Sequence, residues 1–389
     1  MKQLLDSQRP PLTRRDVWIT LLVMALSALI FLPIYRVRIL TPTDNDYGSH
    51  ILFAQQLLLG DPIPAHILAH PLLQLCLAGL VWLSRSVISL WDGMVLSQVA
   101  SHALTAGLLY VWLPKTPGRG QWLAAGLALG LGLAAPVMLL VLADGQYYFG
   151  YIGLASYHNP TVILLRPLAL ASFILAARVW RPGPSSGWLK LGAVVLVVLS
   201  ALIKPSYIFI MLPALALLAA YRLWKQQPLD LGLLAWGYFV PGVLVLAVQG
   251  LVTYLLPGAE EGGIVFAPLA VEAAFSDHLL AKFLLSILFP LAVWLVQPRA
   301  TRQDGAWLLA GLAFLVGAAQ MYLLGEGGER LLHGNFRWGA QIGLFLWLAA
   351  SLRLCLAHKP ARPLLWVYLA HVAAGLAYYA YCITTAAYG

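Results

Sequence analysis

Charged residues are what this sequence has least of. Only 10% of its 389 residues are Asp, Glu, Lys or Arg and 61% are hydrophobic, whereas soluble globular chains carry about 25% charged and roughly 45–50% apolar residues. Polar surface is too scarce to cover a body in water, which excludes a soluble enzyme. Cysteine is equally scarce: Cys76, Cys355 and Cys382 lie in apolar stretches without CxxC spacing, so neither a zinc cluster nor a disulfide framework is predicted. No internal repeat, low-complexity tract or Ser/Gly-rich linker is visible, and no stretch is polar enough for a soluble domain. Residues 1–389 therefore read as a single transmembrane domain.

Long apolar runs are what the chain has in their place. They fall near 17–35, 92–113, 121–142, 161–179, 188–203, 206–221, 231–256, 279–296, 306–324, 338–352 and 364–386, and a bilayer needs about 20 such residues per helix. The predicted fold class is an all-α polytopic membrane protein of about 11 transmembrane helices. Residues 1–16, with Lys2, Arg9, Arg14 and Arg15, precede the first run without a small-residue cleavage site, which predicts a retained first span.

The net charge of +9 is spread in small groups between the runs, with no block and no aromatic interleaving. Topology explains it, and no nucleic-acid partner is expected. With the N-terminus inside, the connections at Lys115/Arg119, Arg178/Arg181/Lys190, Arg222/Lys225, Arg299/Arg302 and Arg353/Lys359/Arg362 all fall on the cytoplasmic side. Asp44, Asp46, Asp61, Asp144, Glu260, Glu261, Asp277, Glu326 and Glu329 fall outside. The parity depends on His70–Leu83, which at fourteen residues is short for a crossing. Read as a juxtamembrane helix, it leaves residues 36–91 as one long outer loop, of a length that usually carries function.

The informative polar residues gather on that outer face. The loop carries Thr41-Pro-Thr-Asp-Asn-Asp-Tyr-Gly-Ser-His50, an apolar stretch to Leu59, then Gly60-Asp61-Pro62-Ile-Pro64, His66 and His70-Pro71. Thr43 or Asp44 is suited to cap a helix starting near Asp46, and Gly60 with the prolines to end it. Asp46 and His50 then share a face at i, i+4. The two aspartates read either as N-terminal complements of a helix dipole facing water or as a general base at the membrane surface, with or without a divalent metal on Asp44, Asp46 and His50.

At these residues the chain resembles the GT-C class of integral-membrane glycosyltransferases, which includes the protein O-mannosyltransferases and the aminoarabinose transferases of lipid A. In that class an acidic pair in the first outer loop is followed by an Ala at eight residues, a Gly, and a His/Lys-Pro-Pro-Leu stretch. Here Asp46 is followed by Ala54, Gly60 and His70-Pro71-Leu72, with Tyr47 where Glu is frequent and Leu72 in place of the second Pro. The motif covers roughly residues 40–75. The resemblance implies Asp46 as catalytic base beside Asp44, a polyprenyl-phosphate sugar as donor, a glycan, lipid or protein acceptor, and a lipid-facing groove in a bacterial inner membrane.

Further outer residues suit such a site. Asp144-Gly-Gln146-Tyr147-Tyr148 leads to Tyr157-His158-Asn159, either as an interfacial aromatic belt or as a second polar loop. Lys204 lies at an outer turn, where snorkelling and phosphate binding are the alternatives. The patch Gly325-Glu326-Gly-Gly-Glu329-Arg330-Leu-Leu-His333-Gly-Asn335-Phe336-Arg337 suits a phosphate, because arginine offers a planar fork of donors; an internal network of Glu326/Glu329 with Arg330/Arg337 is the structural reading. His50, His70, Asp144, Gln146, His158, Lys204, Arg330, His333, Asn335 and Arg337 are therefore the candidate substrate-binding residues. Arg166, inside a span, implies either a lipid phosphate or a buried acid, and His102 an interhelical hydrogen bond. Residues 257–278, with Glu260, Glu261, Glu272, Asp277 and His278, read as a mobile acceptor-side loop. Rival functions are a transporter or flippase of a lipid-linked sugar, which predicts repeats or paired broken helices, and a non-catalytic membrane subunit of a polysaccharide assembly complex.

Overall fold

The computed structural model describes residues 12–41, 46–155, 157–254 and 263–385. The described residues are 77% helical, as in an all-α polytopic membrane protein. The first helix, α1 (Arg14–Leu40), opens on a capping box: the Asp16 amide donates to Thr13 Oγ1 at 3.1 Å and the Thr13 amide to Asp16 Oδ2 at 3.1 Å. Its 27 residues rise about 40 Å, more than the roughly 30 Å hydrocarbon core. Two shorter helices of more than ten residues follow, α2 (Asp46–Leu59) and α3 (Leu72–Leu83), with a single turn Ala65–Ala69 between them, and then α4 (Leu90–Trp112).

α4 runs back antiparallel along α1. Tyr110 Oη donates to Asp16 Oδ1 at 3.2 Å near one end of the pair, and Tyr35 Oη lies 2.8 Å from His102 Nε2 further along. The segment between α1 and α4 therefore leaves and re-enters the bundle at the same end, so α3, with 12 residues, makes no unpaired crossing.

The remaining α-helices of eight residues or more are α5 (Arg119–Leu133), α6 (Pro160–Ala176), α7 (Gly187–Ile203), α8 (Ser206–Trp224), α9 (Val240–Tyr254), which continues a π-helical turn Leu233–Phe239, α10 (Leu279–Ser286), α11 (Leu288–Val296), α12 (Gly305–Leu323), α13 (Arg337–Ala357) and α14 (Leu365–Thr385). Two three-residue strands, β1 (Ile264–Phe266) and β2 (Leu324–Glu326), pair antiparallel with Val265 opposite Gly325. Side-chain contacts sort the connections into two ends. Gln121 meets Asp16, Arg222 lies over Trp180, and Arg353 both pairs with Asp304 and covers Trp112 at the first. At the second, Asn159 meets Asp46, Lys204 meets Thr161, Gln249 meets the carbonyls of Ala69 and Ala201, and Arg337 meets Glu272.

By length and composition, seven of the described helices are able to cross a membrane, or eight if α10 and α11, bent by 65°, count as one span. Three expected spans fall short: α5 has 15 residues, and α6 and α7 have 17 each. The expected run 121–142 stops as a helix at Leu133 because Pro136 supplies no amide to continue the ladder. The 279–296 run breaks at Ile287 for the same reason: Pro290 cannot donate to the Ser286 carbonyl, four residues back.

The interior is mainly apolar, and α12 and α13 approach closely enough to require glycine. A Cβ on Gly317 would lie 2.6 Å from the Ala340 amide nitrogen, and one on Gly343 would lie 2.6 Å from Phe314 Cα, the small-residue contact that membrane helices use where lipid supplies no hydrophobic drive. Outward-facing Trp18, Leu29, Trp188 and Leu280, each more than 60% exposed, form a surface suited to acyl chains rather than water.

Candidate functional site

The Asp46 end collects most of the residues singled out from the sequence. α2 starts at Asp46, whose carboxylate is exposed, and stops at Leu59, with Gly60 at φ +76° turning the chain. Tyr47 is fully buried and its hydroxyl donates to the Tyr157 carbonyl at 3.0 Å. It packs with Ile51, Ala54, Leu73 and Leu77 into a cluster with Phe31 and Tyr35 of α1. The apolar face of α2 thus seats the helix on the bundle and leaves Asp46 at its edge. Asp44, the expected companion of Asp46, lies outside the described residues, as do Thr43, Glu260 and Glu261.

Asn159 joins Asp46 to the bundle. Its Oδ1 accepts from the Val162 amide at 3.1 Å as the N-cap of α6, while its Nδ2 donates to Asp46 Oδ2 at 2.7 Å. Lys204, half-buried at the end of α7, donates to Thr161 Oγ1 at 3.3 Å and stands 5.1 Å over the Trp338 ring. Burial pushes its ammonium down to about 8, against the opposing pull of Asp46 and Glu326. The lysine and the aspartate therefore share one local field.

Four histidines lie at the same end. His50 Nδ1 is 2.7 Å from Gln74 Nε2, and the Phe53 ring packs edge-on against both His50 and His66. Burial, then the charge of Lys204, pushes His50 down to about 3 and His70 to about 4. His158 packs edge-on against Tyr148 at 5.0 Å and tilted to Trp338 at 5.7 Å; burial and the charges of Arg337, Arg38 and Lys204 push it down to about 3. These imidazoles are neutral at neutral pH, so the fixed positive charge of the site comes from lysine and arginine. Among the described residues no three His, Cys, Asp or Glu side chains gather as a metal site.

The loop cations are already matched. Arg330 pairs with Glu326 at 3.3 Å, and Asn335 donates to the same carboxylate at 2.8 Å while accepting from Trp338 Nε1 at 3.2 Å. Arg337 pairs at 2.9 Å with Glu272, both buried. This corrects two expectations: Glu272 is a core partner rather than part of a mobile loop, and Arg337 is held by it rather than by Glu326. His333 is exposed, and the Glu329 side chain lies outside the described residues. Asp144 accepts from Lys282, Ser276 and the Gln146 amide; burial raises its carboxyl, but these three donors more than reverse that and hold it low. Asp144 and Gln146 therefore brace the loop that carries Tyr148 and Phe149, and Lys282 donates onward to the Phe149 carbonyl at 3.0 Å.

Two buried arginines complete the picture. Arg38, 2% exposed near the end of α1, is not singled out by the sequence patterning; its signal is a cation at the end of the first span opposite the basic N-terminus, where the expected topology disfavours positive charge. Arg166, 5% exposed in α6, stands 5.8 Å from the Phe345 ring centroid and within electrostatic reach of Tyr35, Tyr157, Tyr148 and Tyr47. No carboxylate pairs with it among the described residues, against the buried-acid expectation. A cation–π contact offers about 0.5–2 kcal/mol, less than the roughly 2.5–3.5 kcal/mol insertion cost of a central arginine. His102 shares its hydrogen bond with Tyr35 and stacks on Phe31 at 3.6 Å.

No family model matches the chain, and no curated protein matches it significantly in sequence.

Proposed function

We propose that the protein is a membrane glycosyltransferase that moves a sugar from a polyprenyl-phosphate-linked donor to an acceptor hydroxyl at the extracytoplasmic face. The observation that carries this reading is the exposed Asp46 carboxylate, held by Asn159 at 2.7 Å with the Lys204 ammonium in its field. A fixed carboxylate beside an unneutralised cation supplies the two functions that the reaction needs. Asp46 takes the proton of the acceptor hydroxyl, the acceptor oxygen forms its bond to the anomeric carbon, and the bond from that carbon to the phosphate oxygen breaks. The electron pair leaves with the phosphate, and direct displacement inverts the anomeric centre. No step requires a metal.

The connections alternate between the two ends of the bundle, which supports eleven passes in which α5, α6 and α7 count as short spans. The basic residues Lys115, Arg119, Arg222 and Arg353 gather at the Asp16 end, which supports placing that end in the cytoplasm. The donor's prenyl tail then lies in the membrane and its phosphate at the Asp46 end. Asp46→Asn in a lipid nanodisc tests the base: transfer is expected to slow by about 10²–10⁴-fold while the variant keeps wild-type melting behaviour, and wild-type turnover would reject the assignment.

One observation favours a second reading, transport of a lipid-linked sugar. The interrupted ends of α5 and α10/α11 meet at His371 of α14, whose Nδ1 lies 2.7 Å from the Ala135 carbonyl and whose Nε2 accepts from the Phe289 amide at 3.3 Å. Paired helix breaks inside a bundle are a feature of transporters. Movement of a fluorescent lipid-linked sugar between leaflets of proteoliposomes, without glycosidic transfer, would favour that reading over the enzyme.

A further inference from the structure

The loop arginines expected to hold the donor's phosphate are each neutralised, Arg330 by Glu326 and Arg337 by Glu272. Two of the cations at the Asp46 end stand out, neither of them in an ion pair with a carboxylate among the described residues. One is Lys204, half-buried at the end of α7. The other is Arg166, which makes no hydrogen bond or ion pair among them, and whose Nε is shut off from solvent without a partner. The Tyr157 hydroxyl, within electrostatic reach, is likewise buried without a partner.

The placement of Arg166 relates it to Asp46. Asn159, which grips Asp46, is the N-cap of α6, and Arg166 follows seven residues later, two turns along and on the same side of the helix. The axial separation is about 10 Å, and helical side chains lean back toward the N-terminus, which brings the guanidinium closer to the Asp46 end. A carboxylate, an acceptor hydroxyl, an anomeric carbon, a phosphate and a guanidinium in sequence span about the same distance, given two hydrogen bonds of about 2.7–2.9 Å. A glycosyl phosphodiester carries one negative charge. When its sugar leaves, the electron pair remains on the phosphate, which becomes a monoester with up to two. Two unneutralised cations match that product.

Resting on the transferase reading, the geometry points to Arg166 as the inner of two cations that hold the donor's phosphate, with Lys204 as the outer one. Arg166 supplies the planar fork that suits two phosphate oxygens, and Lys204 a point charge at the entrance. The loop arginines Arg330 and Arg337 then serve to brace the wall of the site.

The test is binding of farnesyl phosphate, a short prenyl monophosphate, and of inorganic phosphate to the full-length protein in phosphatidylcholine nanodiscs. The wild-type protein is expected to bind farnesyl phosphate at least tenfold more tightly than inorganic phosphate. Arg166→Gln is expected to weaken farnesyl phosphate at least tenfold. Arg166→Lys keeps the charge but loses the fork and is expected to weaken it severalfold; it decides the matter if Arg166→Gln does not fold. Affinity within twofold of wild type in a folded variant overturns the assignment, as does Arg166-dependent binding of inorganic phosphate with no gain from the prenyl chain. Sugar transfer measured in parallel separates the two claims. Transfer with Arg166-independent binding overturns only the phosphate seat, whereas Arg166-dependent binding without transfer overturns only the enzyme.

Discussion

Asn159 Nδ2 donates to Asp46 Oδ2 at 2.7 Å across 113 positions of sequence. One amide therefore caps α6 with its oxygen and orients the proposed base with its nitrogen. Asn159→Asp separates the roles, because aspartate caps a helix as well as asparagine but places a like charge against Asp46. Melting is expected to stay near wild type, while the acidic limb of the transfer rate moves to higher pH as Asp46 becomes harder to ionise. An unchanged pH profile would show that the contact does not tune the base.

Lys204 is expected to set the alkaline limit of donor binding. Its ammonium titrates at about 8, lowered from 10.5 by burial, so donor affinity is expected to fall as pH rises through 8. Stability moves the other way. Between about 8 and 10.5 the unfolded lysine holds a proton that the folded one has lost, so folding becomes more favourable with rising pH across that window. Lys204→Met is expected to weaken binding at pH 7 and to remove the alkaline fall, as read from affinities measured between pH 6.5 and 9.5.

The buried Glu272–Arg337 pair ties the segment after β1 to the start of α13. Removing one partner leaves a charge in the core, so Glu272→Gln is expected to cost about 3–5 kcal/mol, whereas an apolar double replacement of both residues costs much less. Thermal melting of the single and double variants in one detergent checks this, and a single variant as stable as the double would contradict it.

Orientation has its own test. Pro117→Cys, in a protein whose native cysteines are replaced, is expected to react with an impermeant maleimide only from the cytoplasmic side, because the α4–α5 connection shares its end with Asp16. Labelling from outside would invert the topology.

The membrane class was legible from composition, because a shortage of charge leaves no other solvent. The even parity of the first loop was legible too: fourteen apolar residues at His70–Leu83 are too few to cross, and the antiparallel contact of α1 with α4 fits that reading. The helix breaks at Leu133 and Ile287 were not, although Pro136 and Pro290 marked both; prolines are common in membrane helices and only packing decides which one breaks the ladder. The loop clusters marked Asp46, His50, His158 and Lys204, which the structure brings to one end of the bundle. What the sequence could not convey was the pairing of charges, since the partner of Arg337 stands 65 positions away at Glu272. Tyr47 shows the same limit, since only the fold reveals it as the anchor that seats α2.

The most direct measurement of the central claim is sugar transfer itself. Purified wild-type and Asp46→Asn proteins in nanodiscs are given a panel of polyprenyl-phosphate hexoses, and donor consumption and the released polyprenyl phosphate are followed by mass spectrometry. Wild-type protein is expected to turn over at least one donor, with Asp46→Asn slower by about 10²–10⁴-fold, the usual share of a general base, while still binding farnesyl phosphate. Equal turnover by the two proteins, or none by the wild type across the panel, would contradict the account.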